Sequence, residues 1–408
     1  MEFYYRCSDC GRELAAKEIQ YLCPHCASVS QPGEFQRGVL ETVIAREHLI
    51  ALARRKPFQV ADWLVYALPD KGKAYPVGRT PLISPLHLQR QLGFTQLFLK
   101  NDGANPSGSL KDRASQLVAA QAIHHGQSTV VLASTGNAGS AMACAGAALG
   151  LKVLLFVPAT APKAKLLQAI LYGATVIPIR GTYDEAFRLS IEYTQHFGGV
   201  NRNTAYNPLT IEGKKTVALE IYMQLGGQAP DIVFIPVGDG VIYAGVYKGF
   251  SDLQAAGLIE KLPQLVVVQA EGSNAIAQAY RTGQYRALQR ANTGADSIAV
   301  ASPANGRLAI KYLRASAGWC VEVSEAEIAA AQLQLTHEAG IFCEPAAAAV
   351  WAGFIKESKK LDPNKKIVVL LTGIGFKDLA SAEKLVQIPV AIEPNLKEVI
   401  RQCPFLVK

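Results

Sequence analysis

Short apolar runs recur along the chain from residue 97 onward, and helical stretches separate them. Continuous apolar runs are typical of parallel strands that are buried on both faces, because helices cover both sides of such a sheet. The pattern therefore predicts an α/β fold with two doubly wound domains and mostly parallel sheets. The runs span residues 97–99, 130–132, 153–157, 176–179, 232–235, 265–268 and 367–371.

The composition argues against a disordered chain and against a membrane-spanning protein. Half of the 408 residues are hydrophobic and 18% are charged, against a usual value of about 25% charged, so the chain can bury large cores and global disorder is excluded. No apolar run reaches the roughly 18 residues of a membrane-spanning helix, and the N-terminus lacks a secretory pattern, which predicts a cytoplasmic protein. A net charge of +8 could attract nucleic acid, membrane phosphate or small phosphorylated ligands.

Four of the eight cysteines lie within the first 26 residues, as two CxxC pairs. Two such pairs can direct four thiolates at one tetrahedral metal ion, so Cys7, Cys10, Cys23 and Cys26 predict a structural zinc site in a small zinc-ribbon-like segment. A segment of about 30 residues cannot form its own hydrophobic core, and metal binding would stabilise it. The alternative is a ribbon that keeps the thiols without a metal.

In a doubly wound sheet, ligands bind beyond the carboxyl ends of the strands, so the residues after each run are the candidates for a binding site. After residues 97–99, a loop rich in Asn, Pro and Gly leads into a helix, with Ser109 as the expected N-cap and Asp112 three residues later. Lys111 would lie in the first turn, where a cation opposes the helix dipole. Such a lysine has a lowered pKa and is a better nucleophile, although it could also simply point to solvent.

Three further loops have the same position relative to a run. Residues 134–139 open a helix of small residues and could bind a carboxylate or a phosphate. Residues 236–242 contain Gly238 and Gly240, which let the backbone approach an anion. Residues 372–378 begin with a hydroxyl, Thr372, followed by glycines, and could contact a planar ligand. Each loop alone is a weak signal, but one sheet edge would gather all four.

Together these segments resemble the pyridoxal-phosphate enzymes of the tryptophan-synthase-β fold type and, within that fold type, the threonine synthases. The resemblance covers roughly residues 75–385, and segment 341–346 is also similar to a family segment near the active site. Segment 105–113 is similar to the motif whose lysine binds the cofactor covalently, which implies that Lys111 is the catalytic residue.

The resemblance also implies roles for the other loops. Asn137 would support the ring oxygen of pyridoxal 5'-phosphate, and Thr372 would face its pyridine nitrogen. The cofactor phosphate would lie against Gly238, Asp239, Gly240, Val241 and Ile242, and the substrate carboxylate against Ser134, Thr135, Gly136 and Ala138. We further expect a zinc-ribbon-like segment at 1–31, a large cofactor-binding domain at 32–112 and 213–408, a small substrate-side domain at 113–212, and a homodimer.

Three positions depart from the threonine synthase pattern. Ala138 replaces a polar residue, Thr210 replaces an arginine that can hold the phosphate of O-phosphohomoserine, and Asp239 replaces an asparagine. An anionic Asp239 beside a second phosphate would be unfavourable unless a cation compensates it. Lys214, Lys215 and Arg113 are the candidate compensators.

The resemblance implies an enzyme that eliminates phosphate from O-phospho-L-homoserine and adds water to give L-threonine. The departures leave open an alternative, β-elimination or β-replacement on serine, threonine or phosphoserine, as in a dehydratase or a cysteate synthase. A zinc-ribbon protein that binds nucleic acid is a third alternative, but the basic residues are scattered rather than grouped in a patch. We therefore expect a small amino-acid substrate, and neither nucleic acid nor a membrane as partner.

Overall fold

All the predicted apolar runs form strands in the computed structural model, which describes residues 2–69, 73 and 75–403. Six further strands, each of two to five residues, were not among the predicted runs. The strands are β1 (Phe3–Cys7), β2 (Glu13–Ala15), β3 (Leu40–Ile44), β4 (Leu82–Ile83), β5 (Leu97–Asn101), β6 (Thr129–Ala133), β7 (Lys152–Pro158), β8 (Thr175–Ile179), β9 (Val200–Asn201), β10 (Ile232–Pro236), β11 (Gln264–Ala270), β12 (Cys320–Val323) and β13 (Ile367–Leu371).

Helices connect most of these strands, and among the described residues no helix is both long and apolar enough to cross a membrane. The helices are α1 (Pro24–Ala27), α2 (Arg46–Ala53), α3 (Leu86–Leu92), α4 (Lys111–His124), α5 (Asn137–Leu149), α6 (Lys163–Leu171), α7 (Tyr183–Phe197), α8 (Leu209–Glu212), α9 (Thr216–Gln224), α10 (Val241–Ala255), α11 (Ala275–Thr282), α12 (Gly306–Ala315), α13 (Glu325–Ala339), α14 (Pro345–Ser358), α15 (Leu379–Glu383) and α16 (Leu396–Gln402).

Two largely parallel sheets organise the fold. The larger has the order β12-β11-β10-β13-β5-β4, and only the edge pair β4–β5 is antiparallel. The smaller has the order β8-β7-β6-β9, and all its pairs are parallel. The predicted fold class is therefore confirmed. The smaller sheet lies between residues 129 and 201, inside the predicted small domain, and the exact domain boundaries stay a prediction.

Strand β10 explains why the runs are apolar throughout. Ile232 and Phe234 pack on one face of the sheet, in the core that includes Phe354 of α14. Val233 and Ile235 pack on the opposite face, in the core formed with α10. Because successive side chains of a strand point to opposite faces, a sheet covered by helices on both sides needs apolar residues at every position.

The N-terminal segment is a three-stranded antiparallel sheet of order β2-β1-β3. Strand β3 lies beyond residue 31 and completes this sheet, because its alternate residues Leu40, Thr42 and Ile44 are buried. Phe35 and Trp63 are also fully buried, so the stretch after the cysteines packs on the main body of the molecule.

Candidate active site

Both sheets reverse their strand order at the place where the candidate loops meet. In the larger sheet the chain runs from β10 outward to β12 and returns beside β10 as β13. In the smaller sheet it runs from β6 outward to β8 and returns beside β6 as β9. Ligands of open α/β sheets bind at such reversal points, and the loops after β10, β13 and β6 are three of the four selected from the sequence.

Lys111 is the first residue of α4, which confirms the prediction that it lies in the first turn of this helix. The loop before it is fixed by Asp112, whose carboxylate accepts hydrogen bonds from the Ser107 N–H (2.8 Å) and the Tyr75 hydroxyl (2.5 Å). The expectation that Ser109 caps this helix was wrong. Ser109 instead pairs through its backbone with Gly373, and its buried Oγ has no hydrogen-bond partner.

The pKa of Lys111 is lowered, in the direction that the sequence predicts. Burial lowers it most, the positive charge of Arg202 lowers it further, and Asp239 and Glu344 raise it. Desolvation therefore outweighs the attraction of two carboxylates. A lowered pKa makes the neutral amine easier to form, and the neutral amine is the form that can attack a carbonyl carbon or accept a proton.

The loop after β13 is hydrogen-bonded to the lysine loop. The Leu110 N–H donates to the Thr372 carbonyl (2.9 Å), and the Ile374 N–H donates to the Gly108 carbonyl (3.0 Å). Thr372 is buried and lies beside Lys111 in a narrow cavity. These bonds hold the two loops in a fixed relation.

The loop after β6 presents Asn137 to the same cavity. Ser134 stabilises this loop, since its Oγ accepts hydrogen bonds from the N–H groups of Gly136 (3.3 Å) and Gly139 (3.0 Å). Asn137 Nδ2 donates to Glu344 Oε2 (2.9 Å) and to Ser297 Oγ (3.1 Å). The Ser134 hydroxyl therefore serves the first turn of α5, whereas Asn137 faces the site.

The glycine loop after β10 forms a cradle at the start of α10. Gly240 has φ +85°, and a Cβ there would lie 2.8 Å from the Ala309 Cβ, so only glycine fits. The Asn305 side chain donates to the Gly240 carbonyl (3.1 Å), and the Asn305 N–H donates to the Asp239 carbonyl (3.0 Å). The N–H groups of the first turn of α10 have no partner within the helix, so this cradle fits a phosphate.

The narrow cavity opens toward solvent. Its lining includes Lys111, Asp239 and Thr372, and it shares Asn137, Ser297 and Glu344 with a cleft of about 500 Å³. Residues 105–108, Gly136, Gln168 and Lys377 also line the cleft. Lys111, the glycine cradle and the Thr372 loop thus meet in one space, and their donor groups suit a phosphorylated ligand.

Of the three cations that the sequence offers to compensate the negative charge of Asp239, only Lys214 acts on it in the structure. Burial raises the pKa of Asp239, and Lys111, the Ala304 N–H and Lys214 lower it. Lys214 is therefore a compensator. Arg113 is not, because it is engaged with Asp102 and Glu220, and Lys215 is not, because it is engaged with Glu212 and Asp252.

The four N-terminal cysteines converge. Their Sγ atoms all lie within 4.8 Å of one another, and those of Cys10 and Cys23 are 3.8 Å apart. Tetrahedral zinc with Zn–S bonds of about 2.3 Å requires sulfur atoms roughly 3.8 Å apart. This cluster, from the β1–β2 hairpin and the start of α1, could hold a metal ion.

Comparison with known proteins agrees with this geometry. The profile of the family described as "Pyridoxal-phosphate dependent enzyme" matches residues 73–373. The chain therefore belongs to the pyridoxal-phosphate dependent enzyme family, and the resemblance drawn from the sequence motifs is confirmed.

Individual relatives narrow the comparison. The chain is 33% identical to threonine synthase of Methanocaldococcus jannaschii, over 97% of this chain and 99% of that protein. It is 31% identical to threonine synthase of Methanosarcina acetivorans, over 99% of both. Among solved structures it is similar to threonine deaminase isoform 2 of Solanum lycopersicum, with a TM-score of 0.65 and 25% identity, covering 77% of this chain and 85% of that one.

Sequence reasoning missed three side chains near the site. Ser297 lies in a loop without a motif, and Glu344 was noted only as part of a family-like segment. Arg202 follows β9, which has only two residues, so no apolar run in the sequence marks the loop after this strand. The reversal point between β6 and β9 would have identified this loop, but only with the strand order in hand.

Proposed function

We propose that the chain is a pyridoxal-phosphate-dependent lyase of the threonine synthase type. It would eliminate phosphate from O-phospho-L-homoserine and add water to give L-threonine. The observation that carries this proposal is the meeting of Lys111, the Gly238–Gly240 cradle and Thr372 in one cavity. Relatives named threonine synthase, aligned over almost the whole chain, favour it over the dehydratase and cysteate synthase alternatives.

The cofactor, when bound, supplies an electron sink for the α-carbon of the substrate. Lys111 would hold the cofactor and then act as the base that moves protons on and off the substrate carbons, a role suited to its lowered pKa. Thr372 would offer the pyridine nitrogen a neutral hydroxyl rather than a carboxylate, and so would not stabilise a proton there. This choice favours elimination over transamination.

The remaining site residues would bind and orient. Asn137 would support the ring oxygen, with its amide held by Glu344 and Ser297. Residues 238–242 would bind the cofactor phosphate through their N–H groups. Ser134, Thr135, Gly136 and Ala138 would form the loop that receives the substrate carboxylate.

The decisive experiment is an assay of the purified holoenzyme for phosphate and threonine formed from O-phospho-L-homoserine. We expect equal amounts of both products, and Lys111→Ala should abolish both. Turnover of L-serine, L-threonine or O-phosphoserine without phosphate release from phosphohomoserine would reject the proposal in favour of the alternative.

We also propose that Cys7, Cys10, Cys23 and Cys26 bind a structural zinc ion, and that the enzyme is a cytoplasmic homodimer. The zinc proposal rests on the sulfur distances, and the homodimer on the family resemblance. Metal analysis of the purified protein tests the first, and light scattering at several protein concentrations tests the second.

A further inference from the structure

The carboxylate of Glu344 is buried at the point where the narrow cavity meets the cleft. Glu344 is 4% exposed and lines both spaces. Asn137 and Ser297 also line both, but of these three residues only Glu344 is titratable. A proton taken up by Glu344 can therefore come from the narrow cavity and leave through the cleft.

The local structure directs this carboxylate into the cavity. Glu344 is the N-cap residue of α14, a position where side chains commonly accept hydrogen bonds from the first turn, yet its side chain makes no such bond. Its backbone N–H donates to the Gly373 carbonyl (3.1 Å), and a Cβ on Gly373 would overlap the Glu344 carboxylate. The glycine after Thr372 thus leaves the space that the carboxylate occupies.

Two polar side chains fix the orientation of the carboxylate. Oε2 accepts hydrogen bonds from Asn137 Nδ2 (2.9 Å) and Ser297 Oγ (3.1 Å), and Oε1 accepts from Asn137 Nδ2 (3.2 Å). An ionised carboxylate has about four acceptor positions, so these bonds leave it able to accept a proton from a further donor.

The surroundings suit Glu344 to proton transfer. Burial raises its pKa, hydrogen bonds from Asn137 and Ser297 lower it, and the net shift is upward. The positive charges of Lys111 and Lys377 lower it as well. The pKa of Lys111 shifts in the opposite direction, downward. Such shifts bring a carboxylic acid and an amine closer to neutral pH, where each can both accept and release a proton.

The proposed reaction requires a second proton acceptor besides Lys111. Conversion of O-phospho-L-homoserine to L-threonine removes one proton from each of the α and β carbons and adds one to each of the γ and α carbons. Lys111 can carry both protons. When water attacks the β-carbon, however, Lys111 still holds the proton that the α-carbon will receive, so it cannot accept a proton from the water.

Building on the proposed function, we propose that Glu344 is the base that accepts the proton of the attacking water. The water oxygen forms a bond to the β-carbon through a lone pair, and its O–H bond breaks with the electron pair left on oxygen and the proton on Glu344. The π pair of the α–β double bond moves to the α-carbon, which takes the proton from Lys111. The proton on Glu344 leaves through the cleft and ends on the released phosphate, which becomes hydrogen phosphate.

Asp239 is the other buried carboxylate of the narrow cavity, and its position differs. It does not line the cleft, and its Oδ1 accepts from the Ala304 N–H (3.4 Å) beside the glycine cradle. Water that enters from the cleft therefore meets Glu344 before Asp239.

The products formed from O-phospho-L-homoserine by the holoenzyme test the proposal. Glu344→Gln keeps the size of the side chain and an acceptor for the Asn137 amide but removes the base. The wild type should form one threonine per phosphate, and Glu344→Gln should form about tenfold less threonine per phosphate or lower, because loss of a general base slows its step by about 100-fold or more. The missing threonine should appear as 2-oxobutanoate and ammonia, which form when the unsaturated amino acid is released and hydrolysed.

The control is Asp239→Asn, which makes the same chemical change at the other carboxylate and should keep threonine and phosphate equal. Equal amounts of both products from Glu344→Gln would overturn the proposal, and unequal amounts from Asp239→Asn alone would assign the base to Asp239. Loss of both products from Glu344→Gln at an unchanged thermal unfolding temperature would also overturn it, and weaker binding of pyridoxal phosphate would then make Glu344 a positioning residue for Asn137.

A second variant covers the case in which Glu344→Gln does not fold. Glu344→Asp keeps the charge but withdraws the carboxylate by one methylene, and it should form a mixture of threonine and 2-oxobutanoate, whereas threonine alone would overturn the proposal. A wild type that releases no phosphate from phosphohomoserine would reject the proposed function, and with it the water addition assigned to Glu344. A wild type that forms both products, beside a Glu344→Gln variant that forms them equally, would reject only the role of Glu344.

Discussion

The ring of Tyr21, in the cysteine segment, stacks on the ring of Tyr206 in the loop after β9, with 4.6 Å between the centroids and 13° between the planes. The Tyr21 hydroxyl also accepts a hydrogen bond from the Asn201 N–H (2.9 Å). Asn201 directly precedes Arg202. The N-terminal segment therefore supports the loop that carries Arg202 and Thr204, and Thr204 lines the narrow cavity.

We predict that removing this support weakens substrate binding more than cofactor binding. Tyr21→Phe keeps the stacking and loses one hydrogen bond, which costs about 1 kcal/mol, and Tyr21→Ala loses both contacts. The KM for phosphohomoserine should rise in the order wild type, Tyr21→Phe, Tyr21→Ala. Tyr4→Ala, which removes a tyrosine of the same segment that contacts Arg6, is the control and should leave KM unchanged. Equal KM values in all four proteins would contradict the prediction.

Loss of the metal should loosen the N-terminal segment that carries Tyr21. Cys23→Ser is expected to reduce the zinc content of the purified protein and to make the segment before β3 sensitive to protease, because a metal-free ribbon lacks a core of its own. Cys403→Ser, which lies outside the cluster, should keep its zinc. Full zinc content in Cys23→Ser would show that the four thiols do not form the site.

The fold could be predicted because its signal is local. Runs such as 232–235 and 367–371 are apolar at every position, since the sheet is covered on both faces, and each became a strand. Strands β4 and β9 have two residues each and depend on neighbours distant in sequence, so no local pattern marks them. Strand β3 joins β1 only because the N-terminal segment folds back over the body.

The candidate site could be predicted where one loop carries the function. Lys111, Gly240 and Thr372 each belong to a motif at a strand end. Arg202 could not be recognised in the same way, because it follows a strand of only two residues. Only packing shows that Lys215 forms ion pairs with two carboxylates, whereas Lys214 Nζ makes no hydrogen bond. Ser109 was misassigned as a cap because the pairing of its backbone with Gly373 is a long-range contact.

The glycine cradle gives a third prediction. Gly240→Ala must place a side chain at φ +85° and 2.8 Å from Ala309, so the loop should shift and affinity for pyridoxal phosphate should fall about tenfold or more. Gly257→Ala, beyond the other end of α10, has a similar φ of +76° but open space around its Cβ. It should lose only about 1–2 kcal/mol of stability and keep its cofactor affinity, measured by absorbance titration. Equal affinities in the two variants would rule out a steric role of the cradle.

A buried ion network behind the site gives a fourth prediction, with a defined pH dependence. Glu220 contacts Arg113 (2.8 Å) and Lys100 (2.7 Å), and all three side chains are at most 3% exposed. Burial alone would raise the pKa of Glu220, but the two cations lower it to about 2. Because this pKa is lower in the folded than in the unfolded chain, the stabilisation is complete above about pH 5 and is lost as the pH falls toward about 2.

Glu220→Gln should therefore be less stable than the wild type by about 3–5 kcal/mol near pH 7, since two buried cations lose a carboxylate partner. The difference should shrink steadily as the pH is lowered from about 5 toward 2, because the wild-type carboxylate then becomes protonated too. Urea unfolding of both proteins across this range measures it. Glu192→Gln, which breaks an exposed pair with Arg188 on α7, should change stability by about 0.5 kcal/mol or less at every pH. A stability difference for Glu220→Gln that stays constant with pH would mean that the charge of this carboxylate does not stabilise the fold.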